Sequence, residues 1–263
     1  MTLLAILAAT LMAGVGSVWL AALLGFGILA RYTEHMLSLA AGALLATAFM
    51  HLLPEAFESQ VSADHLFPTL LAGLIFFFLL DKAELWHHGH EHHHAHHHDH
   101  SGRSDHEGHK HPSGGSWAIL TGDSVHCFGD GVLIASAFVA DMRLGVVAAL
   151  AVLMHEVPHH MGDLAVLRQA SDNRRMAFLK VSLAGALTAM GGLVGYFLVA
   201  ELKAYLPYFL AIASSSFLYV ALADLIPQLQ KKLSARETAA QIIWLLVGMG
   251  MVTLASHLTH SSH

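Results

Sequence analysis

The sequence predicts an all-α membrane protein with eight transmembrane helices, grouped as three plus five around one long polar loop. Two features of composition lead to this fold class. Of the 263 residues, 55% are hydrophobic and only 12% are charged, whereas soluble domains carry roughly 25% charged residues. Apolar runs close to the ~20 residues that a helix needs to cross a bilayer recur along the whole chain. Their unbroken length favours helices, because barrel strands would be short and alternating.

The predicted spans cover residues 4–30, 36–56, 65–85, 116–140, 144–168, 176–200, 206–227 and 239–258. We treat residues 1–263 as a single transmembrane domain. The first span has no Lys or Arg before Arg31. A signal peptide needs a basic first region, so we interpret this segment as a retained span. The single cysteine, Cys127, excludes an intrachain disulfide.

The distribution of basic residues tests the number of spans independently. Eleven of the 13 Lys and Arg fall in the odd-numbered connections, and only Arg143 and Lys203 fall in the even-numbered ones. Short cytoplasmic loops are enriched in Lys and Arg. Eight spans with both termini outside the cytoplasm therefore fit the pattern, which one span more or fewer would destroy.

The third connection differs in composition from the other connections. It contains 13 histidines between His87 and His111, mixed with Gly, Asp, Glu and Ser. Such a segment cannot bury a core, so we expect residues 87–115 to form a disordered cytoplasmic loop. The loop either captures or senses zinc, or binds metal unspecifically and is not essential. We favour non-essential, unspecific binding, because dense histidines bind metal without a defined geometry.

Ionisable residues stand near the middle of the fourth and fifth spans, where they are costly and usually functional. Residues four positions apart share a helix face. The pairs of this kind are His126 with Asp130, His155 with His159, and Glu156 with His160; Cys127 lies beside the first pair. The two spans run in opposite directions, so both clusters can lie side by side at one depth.

Together these side chains offer imidazole, carboxylate and thiolate groups to one volume, as a zinc site requires. A single buried histidine is more often structural, and Cys127, Glu156 and His160 are individually open to that interpretation. Asp123 and Asp163 lie one turn outside the clusters. They either orient the histidines, lie on the ion path, or are solvated.

Two further features are weaker signals. His51 and Glu55 on the second span are again four apart, and either collect ions at an outer mouth or are solvated. Pro158 removes the hydrogen bond to the Met154 carbonyl and is expected to bend the fifth span.

These motifs resemble the ZIP (Zrt/Irt-like) family of divalent metal transporters. Segment 126–131 (HCFGDG) is similar to its fourth-span pattern of His, a small polar residue, an acid and Gly. Segment 155–163 (HEVPHHMGD) is similar to the fifth-span His-Glu-x-Pro-His-Glu-x-Gly-Asp pattern of one subfamily. Segments 51–55 (HLLPE) and 219–224 (YVALAD) also resemble that subfamily.

The resemblance implies a binuclear-type site on the fourth and fifth spans. His126, Asp130, His155 and His159 would form the main site, with Cys127 and Glu156 in a neighbouring site. It also implies an elevator-like motion, often within a homodimer, that moves metal into the cytoplasm. We expect zinc as the substrate (cadmium, iron and manganese being alternatives), a lipid bilayer as the surroundings, and no nucleic-acid partner. The expected location is a bacterial inner membrane, or else an organelle membrane.

Three positions depart from the family pattern. His160 replaces a Glu, Cys127 replaces Asn or Ser, and Thr47 replaces an Asp of the second span. The first two make the site softer, which favours zinc or cadmium over manganese or iron. The sixth span has no acid within 176–200, which predicts weak or absent binding at the neighbouring site.

Other functions remain open at the level of sequence. The motif His155-Glu156-x-x-His159 also fits a zinc peptidase, in which Glu activates water, although Pro158 disturbs the turn between the histidines. An exporter related to cation-diffusion facilitators would be expected to have six spans, whereas this sequence predicts eight. A metal sensor or buffer would use the histidine-rich loop. We expect a transporter and no enzymatic activity.

Overall fold

A computed structural model describes residues 2–24, 33–89, 114–170, 173–230 and 234–260. Within these ranges eight helices are long and apolar enough to cross a membrane, which confirms the predicted fold class. In chain order the helices are α1 (Thr2–Leu24), α2 (Thr33–Phe57), α3 (Ala63–Gly89), α4 (Gly114–Ala140), α5 (Met142–Ala170), α6 (Arg174–Glu201), α7 (Lys203–Leu229) and α8 (Ala235–His260).

Two predictions fall partly outside the described residues. The predicted first span extends to residue 30, beyond the described end of α1 at Leu24. Most of the predicted loop, residues 90–113, also lies outside. At its margins α3 continues to Gly89 and α4 begins at Gly114, so both ends of the predicted loop are helical.

The helices form two groups of four, and glycines allow close backbone contacts within each group. In the first group (α1, α4, α5 and α6), the Gly185 carbonyl of α6 occupies the space that a Cβ on Gly14 of α1 would need. Gly131 of α4 approaches the backbone of α6 in the same way. In the second group (α2, α3, α7 and α8), Gly42 of α2 lies against the Leu245 carbonyl of α8. Small residues allow membrane helices to approach this closely.

The two groups meet mainly where α2 packs along α5. The buried face of α2 is formed largely by alanine, at positions 40, 41, 43, 46 and 48. No glycine contact of the kind described above joins the two groups in the described residues. Alanine is therefore the commonest residue on the buried surface of α2, which faces α5 as well as α7 and α8.

Within the described ranges, three helices contain a wide (π) turn, at Met12–Gly16 in α1, Ala48–Leu52 in α2 and Val220–Leu225 in α7. Two of these turns lie just before a proline. The Leu53 N–H donates to the Ala48 carbonyl before Pro54, and the Ile226 N–H donates to the Ala221 carbonyl before Pro227. Proline lacks an N–H and crowds the preceding turn, and a π turn is one way to accommodate it. In contrast, α5 continues as an α-helix through Pro158.

Candidate metal centre

The first group of possible ligands lies between α4 and α5 and is called group 1: His126, Asp130, His155 and Glu156. His155 Nε2 lies 3.1 Å from Asp130 Oδ2 and 3.2 Å from Glu156 Oε1. His126 Nε2 lies 3.2 Å from the same Glu156 oxygen and 3.4 Å from His155 Nε2. Donor atoms around a tetrahedral zinc ion lie about 3.3–3.8 Å apart, given bonds of ~2.0–2.3 Å. The spacing of group 1 therefore suits a zinc ion.

A second set, group 2, lies directly beside it and consists of Asp123, Cys127, Glu156 and His160. Cys127 Sγ lies 3.5 Å from Asp123 Oδ1, 3.6 Å from Glu156 Oε2 and 3.9 Å from His160 Nε2. His160 Nε2 lies 3.1 Å from Glu156 Oε2. All four side chains are buried. Group 2 thus offers two carboxylates, an imidazole and a thiol to one enclosed volume.

Glu156 joins the two groups. Its Oε1 faces group 1 and its Oε2 faces group 2, and the residue is fully buried. One carboxylate that bridges two ion positions is the arrangement expected of a binuclear site. The sequence placed Glu156 only in the neighbouring site, whereas the geometry places it in both sets of ligand atoms.

His159 is placed differently from the other three residues expected in the main site. Its Nε2 lies 3.6 Å from Asp123 Oδ1 and 3.6 Å from Asp163 Oδ2. Its ring remains next to that of His126, with the centroids 5.4 Å apart. His159 therefore belongs to a third set, with Asp123 and Asp163, at the edge of group 1.

Asp123, which the sequence left open as an orienting, path or solvated residue, lies among two sets of possible ligands. Its Oδ1 contributes to both group 2 and the third set. The antiparallel register of α4 and α5 could have identified Asp123 from the sequence. In antiparallel helices, earlier residues of α4 lie beside later residues of α5. Asp123 then falls opposite 159–163, just as Asp130 falls opposite His155. Asp123 also adds an acidic side chain to group 2, whereas residues 176–200 of α6 contain none.

The backbone orients one histidine of group 1. His155 Nδ1 lies 3.3 Å from the Ala151 carbonyl oxygen, which can only accept a hydrogen bond. The proton of a neutral ring is therefore on Nδ1, and the lone pair of Nε2 points into group 1. Metal-binding histidines are commonly held in this way by their second nitrogen.

A cavity of about 460 Å³ reaches group 1 from one side of the molecule. His126 and His155 line its inner end, together with Asp123, His159 and Asp163. Cys127, Glu156 and His160 do not line it. Both histidines of group 1 therefore line the cavity, whereas Asp123 is the one residue of group 2 that does.

The outer part of the cavity is also acidic. It passes Asp81 on α3 and Asp224 on α7. The Tyr219 hydroxyl donates a hydrogen bond of 3.0 Å to Asp81, and the Gln228 amide donates one of 2.9 Å to Asp224. Carboxylates along such a path attract cations.

The second-span candidates lie elsewhere. His51 is half-buried and Glu55 is exposed, and neither belongs to a ligand group within the described residues. Thr47, where the resemblance leads one to expect Asp, is buried and donates to the Ala43 carbonyl at 2.8 Å. These residues therefore contribute no ligand to groups 1 and 2.

Comparison with known proteins connects this geometry to a family. The family model described as ZIP zinc transporter matches residues 1–256. This chain belongs to the ZIP family. The resemblance seen in the motifs is thereby confirmed, and family membership together with eight apolar helices identifies an integral multi-pass membrane protein.

Individual members of the ZIP family show how far the similarity extends. Human zinc transporter ZIP4 is 38% identical over 136 residues, which are 52% of this chain and 20% of that protein. Zinc transporter foi of Drosophila melanogaster is 32% identical over 140 residues, again 20% of that protein. Zinc transporter ZIP13 of Pongo abelii is 28% identical over 248 residues, 86% of this chain and 68% of that protein. The chain thus spans only a fifth of the first two relatives.

Proposed function

We propose that this protein carries divalent metal ions, with zinc as the principal substrate, across a membrane into the cytoplasm. The observation that carries the proposal is the position of group 1 at the closed end of a one-sided acidic cavity. An ion at that point exchanges with water on one side only. The relatives' description as zinc transporters supports zinc as the substrate.

The side to which the cavity opens supports the direction of transport. Asp81 and Asp224 lie toward the carboxyl ends of α3 and α7, which lead into the third and seventh connections. The odd-numbered connections hold most of the Lys and Arg, which mark the cytoplasmic side. We therefore assign the structure to an inward-facing state.

The opposite side of group 1 is closed by apolar packing. Toward the outer end of α4 and α5 the side chains are buried, and they include Leu133, Ile134, Phe138, Val147 and Val152. A hydrated ion cannot pass through a close-packed core. Access from the outer side therefore requires a rearrangement, as expected of a carrier with alternating access.

The rearrangement we propose is an elevator-like movement of α1, α4, α5 and α6 against α2, α3, α7 and α8. Close glycine contacts join helices within each group, and none of them joins the two groups in the described residues. All ligand atoms of groups 1 and 2 belong to α4 and α5. A rigid movement of the first group would therefore carry the ion without dismantling its site.

The geometry favours a carrier over a zinc peptidase. In a peptidase, the two histidines of the His-Glu-x-x-His motif bind one zinc ion and the Glu activates water. Here His155 belongs to group 1 and His159 to the third set, and Glu156 is itself among the ligand atoms. A transport site explains all of these residues together. The homodimer and the identity of the membrane stay predictions.

Zinc uptake into proteoliposomes tests the proposed function. We expect uptake by the parent protein and none by Asp130→Ala or His126→Ala, because each substitution removes a ligand of group 1. Glu58→Gln is the control, since Glu58 is an exposed carboxylate of the loop after α2. Uptake by Asp130→Ala at the parental rate would refute the assignment of group 1.

Thiol labelling tests the elevator movement. Val166 on α5 and Gln228 on α7 are both exposed and line the same cavity. We expect a cysteine at either position to react with an impermeant maleimide from the cytoplasmic side. Conditions that favour the outward-facing state should protect Val166→Cys and leave Gln228→Cys reactive. Equal reactivity of both positions in every condition would exclude this movement.

A further inference from the structure

We propose that Ser17 of α1 is a positioning residue that holds His160 in the orientation and tautomer needed to bind metal, and thereby sets the ion preference of group 2. This inference rests on the proposed function, because it assumes that group 2 binds metal. Ser17 belongs to none of the ligand groups, and its 143-residue separation from His160 hides the contact in the sequence.

The contact is short and fully enclosed. Ser17 Oγ lies 2.9 Å from His160 Nδ1 and 2.5 Å from the carbonyl oxygen of Gly14. Both Ser17 and His160 have no exposed surface. No water can therefore substitute for the hydroxyl without displacing protein atoms.

The position of the protons follows from the donors and acceptors. A carbonyl oxygen only accepts, so the single hydroxyl proton of Ser17 is directed to Gly14. The remaining contact must then be donated by the ring, from Nδ1–H to Ser17 Oγ. In a neutral imidazole the other nitrogen, Nε2, carries the lone pair. That nitrogen faces Glu156 Oε2 at 3.1 Å and Cys127 Sγ at 3.9 Å.

The local fold of α1 fixes Ser17 in this position. Ser17 directly follows the π turn at Met12–Gly16. Within that turn Gly14 packs against Gly185 and Thr188 of α6, with no space for a side chain. The carbonyl that anchors the hydroxyl therefore belongs to a tightly packed backbone segment, and π turns of this kind are frequent at functional sites.

The consequence concerns the chemistry of group 2. In the fifth-span pattern that this segment resembles, position 160 is Glu, which needs no tautomer to bind metal. His160 binds only with Nε2 unprotonated. When it does, group 2 gains an imidazole beside the thiol of Cys127, and soft or borderline ions such as cadmium and zinc are favoured over manganese. A hydroxyl on α1 thus supports the selectivity of a site on α4 and α5.

Cadmium binding followed by thiolate-to-cadmium charge-transfer absorption tests this role. Cys127 is the only cysteine, so the absorption reports group 2 and not the histidine-rich loop. A chelator buffer sets free cadmium in titrations of the full-length protein. Loss of a residue that orients a ligand typically costs 10–100-fold in metal affinity. We expect a loss of about that size for Ser17→Ala and recovery to within a few-fold for Ser17→Thr, which keeps the hydroxyl.

Two controls separate positioning from general destabilisation. Ser136→Ala removes another buried hydroxyl, which donates to the Val132 carbonyl at 2.9 Å in α4, and should leave cadmium affinity unchanged. In a His160→Glu background, Ser17→Ala should have no further effect, because the carboxylate has no Nδ1 to hold. A double-mutant cycle measures this coupling.

The proposal is overturned if Ser17→Ala binds cadmium as tightly as the parent, or if it weakens binding equally in the His160→Glu background. It is also overturned if the parent shows no thiolate absorption with cadmium, because group 2 would then not bind metal. Zinc uptake that depends on Asp130 would still support the proposed function in each of these cases. Either proposal can therefore be refuted without refuting the other.

Discussion

Groups 1 and 2 share Glu156 but differ in exposure, ligands and support. Group 1 presents its two histidines to the cavity, and the Ala151 carbonyl of the same helix orients His155. Group 2 is buried, contains the thiol of Cys127, and has its histidine held by a side chain of another helix. The difference suggests a division of roles in which group 1 exchanges the ion and group 2 adjusts the preference between ions.

The largest effect is expected where the groups meet. Glu156→Gln removes the charge that faces three histidines, so neither group retains its shared anionic ligand. We expect zinc uptake to fall by more than about 100-fold, beyond the 10–100-fold typical of residues that only orient ligands. Initial uptake rates in proteoliposomes measure this, with Glu58→Gln as the exposed control. Near-parental uptake by Glu156→Gln would show that Glu156 is not a ligand of the metal centre.

Substitutions specific to each group should separate their roles. Asp130→Asn should abolish uptake of zinc and cadmium while the cadmium–thiolate absorption of group 2 persists. Cys127→Ser should remove that absorption and lower cadmium uptake relative to zinc, because a hydroxyl is a poorer ligand for soft ions. Competition between the two ions in one uptake assay measures the ratio. An unchanged ratio in Cys127→Ser would contradict the role assigned to group 2.

The pH dependence of binding should differ between the groups. Metal displaces protons from its ligands, so affinity falls as pH falls. An unperturbed imidazole titrates near ~6.5 and an unperturbed thiol near ~8.5. Because binding at group 2 must also displace the thiol proton of Cys127, cadmium–thiolate absorption at fixed free cadmium should still rise at pH values where zinc uptake through group 1 has levelled off. Uptake and absorption that follow one common curve would argue against two distinct groups.

The smallest effect is expected from the histidine-rich loop. Deletion of 87–111 removes none of the residues of groups 1 and 2. We expect basal zinc uptake to stay at the parental level, with any change confined to regulation at high cytoplasmic zinc. Complete loss of uptake in the deletion variant would show that the loop is part of the transport path.

The sequence predicted the eight helices, and it pointed to α4 and α5 as the helices with the candidate ligands, because both follow from local patterns. Apolar length marks a span, and a spacing of four places His126 and Asp130 on one face. The same spacing also predicts His155 and His159 in one site, which stays a prediction. Four residues rise about 6 Å along a helix, and here the two rings reach different acids, Asp130 and Asp163.

Other features depend on how helices are rotated and aligned against one another, which local patterns do not encode. Asp123 enters group 2 only through the antiparallel register of α4 and α5. Ser17 reaches His160 because a π turn shifts the phase of α1, in a segment whose composition is otherwise plainly apolar. The absence of an acid from α6 predicts a weak neighbouring site, which stays a prediction, and Asp123 and His160 are candidate ligands there.

Anomalous diffraction at the zinc absorption edge, from crystals grown with zinc, tests the central claim most directly. The account predicts one peak among His126, Asp130, His155 and Glu156, and a second across Glu156 beside Cys127 and His160. Cadmium should replace zinc preferentially at the second position. Zinc density found only outside the α4–α5 interface, with group 1 empty at saturating zinc, would contradict the account.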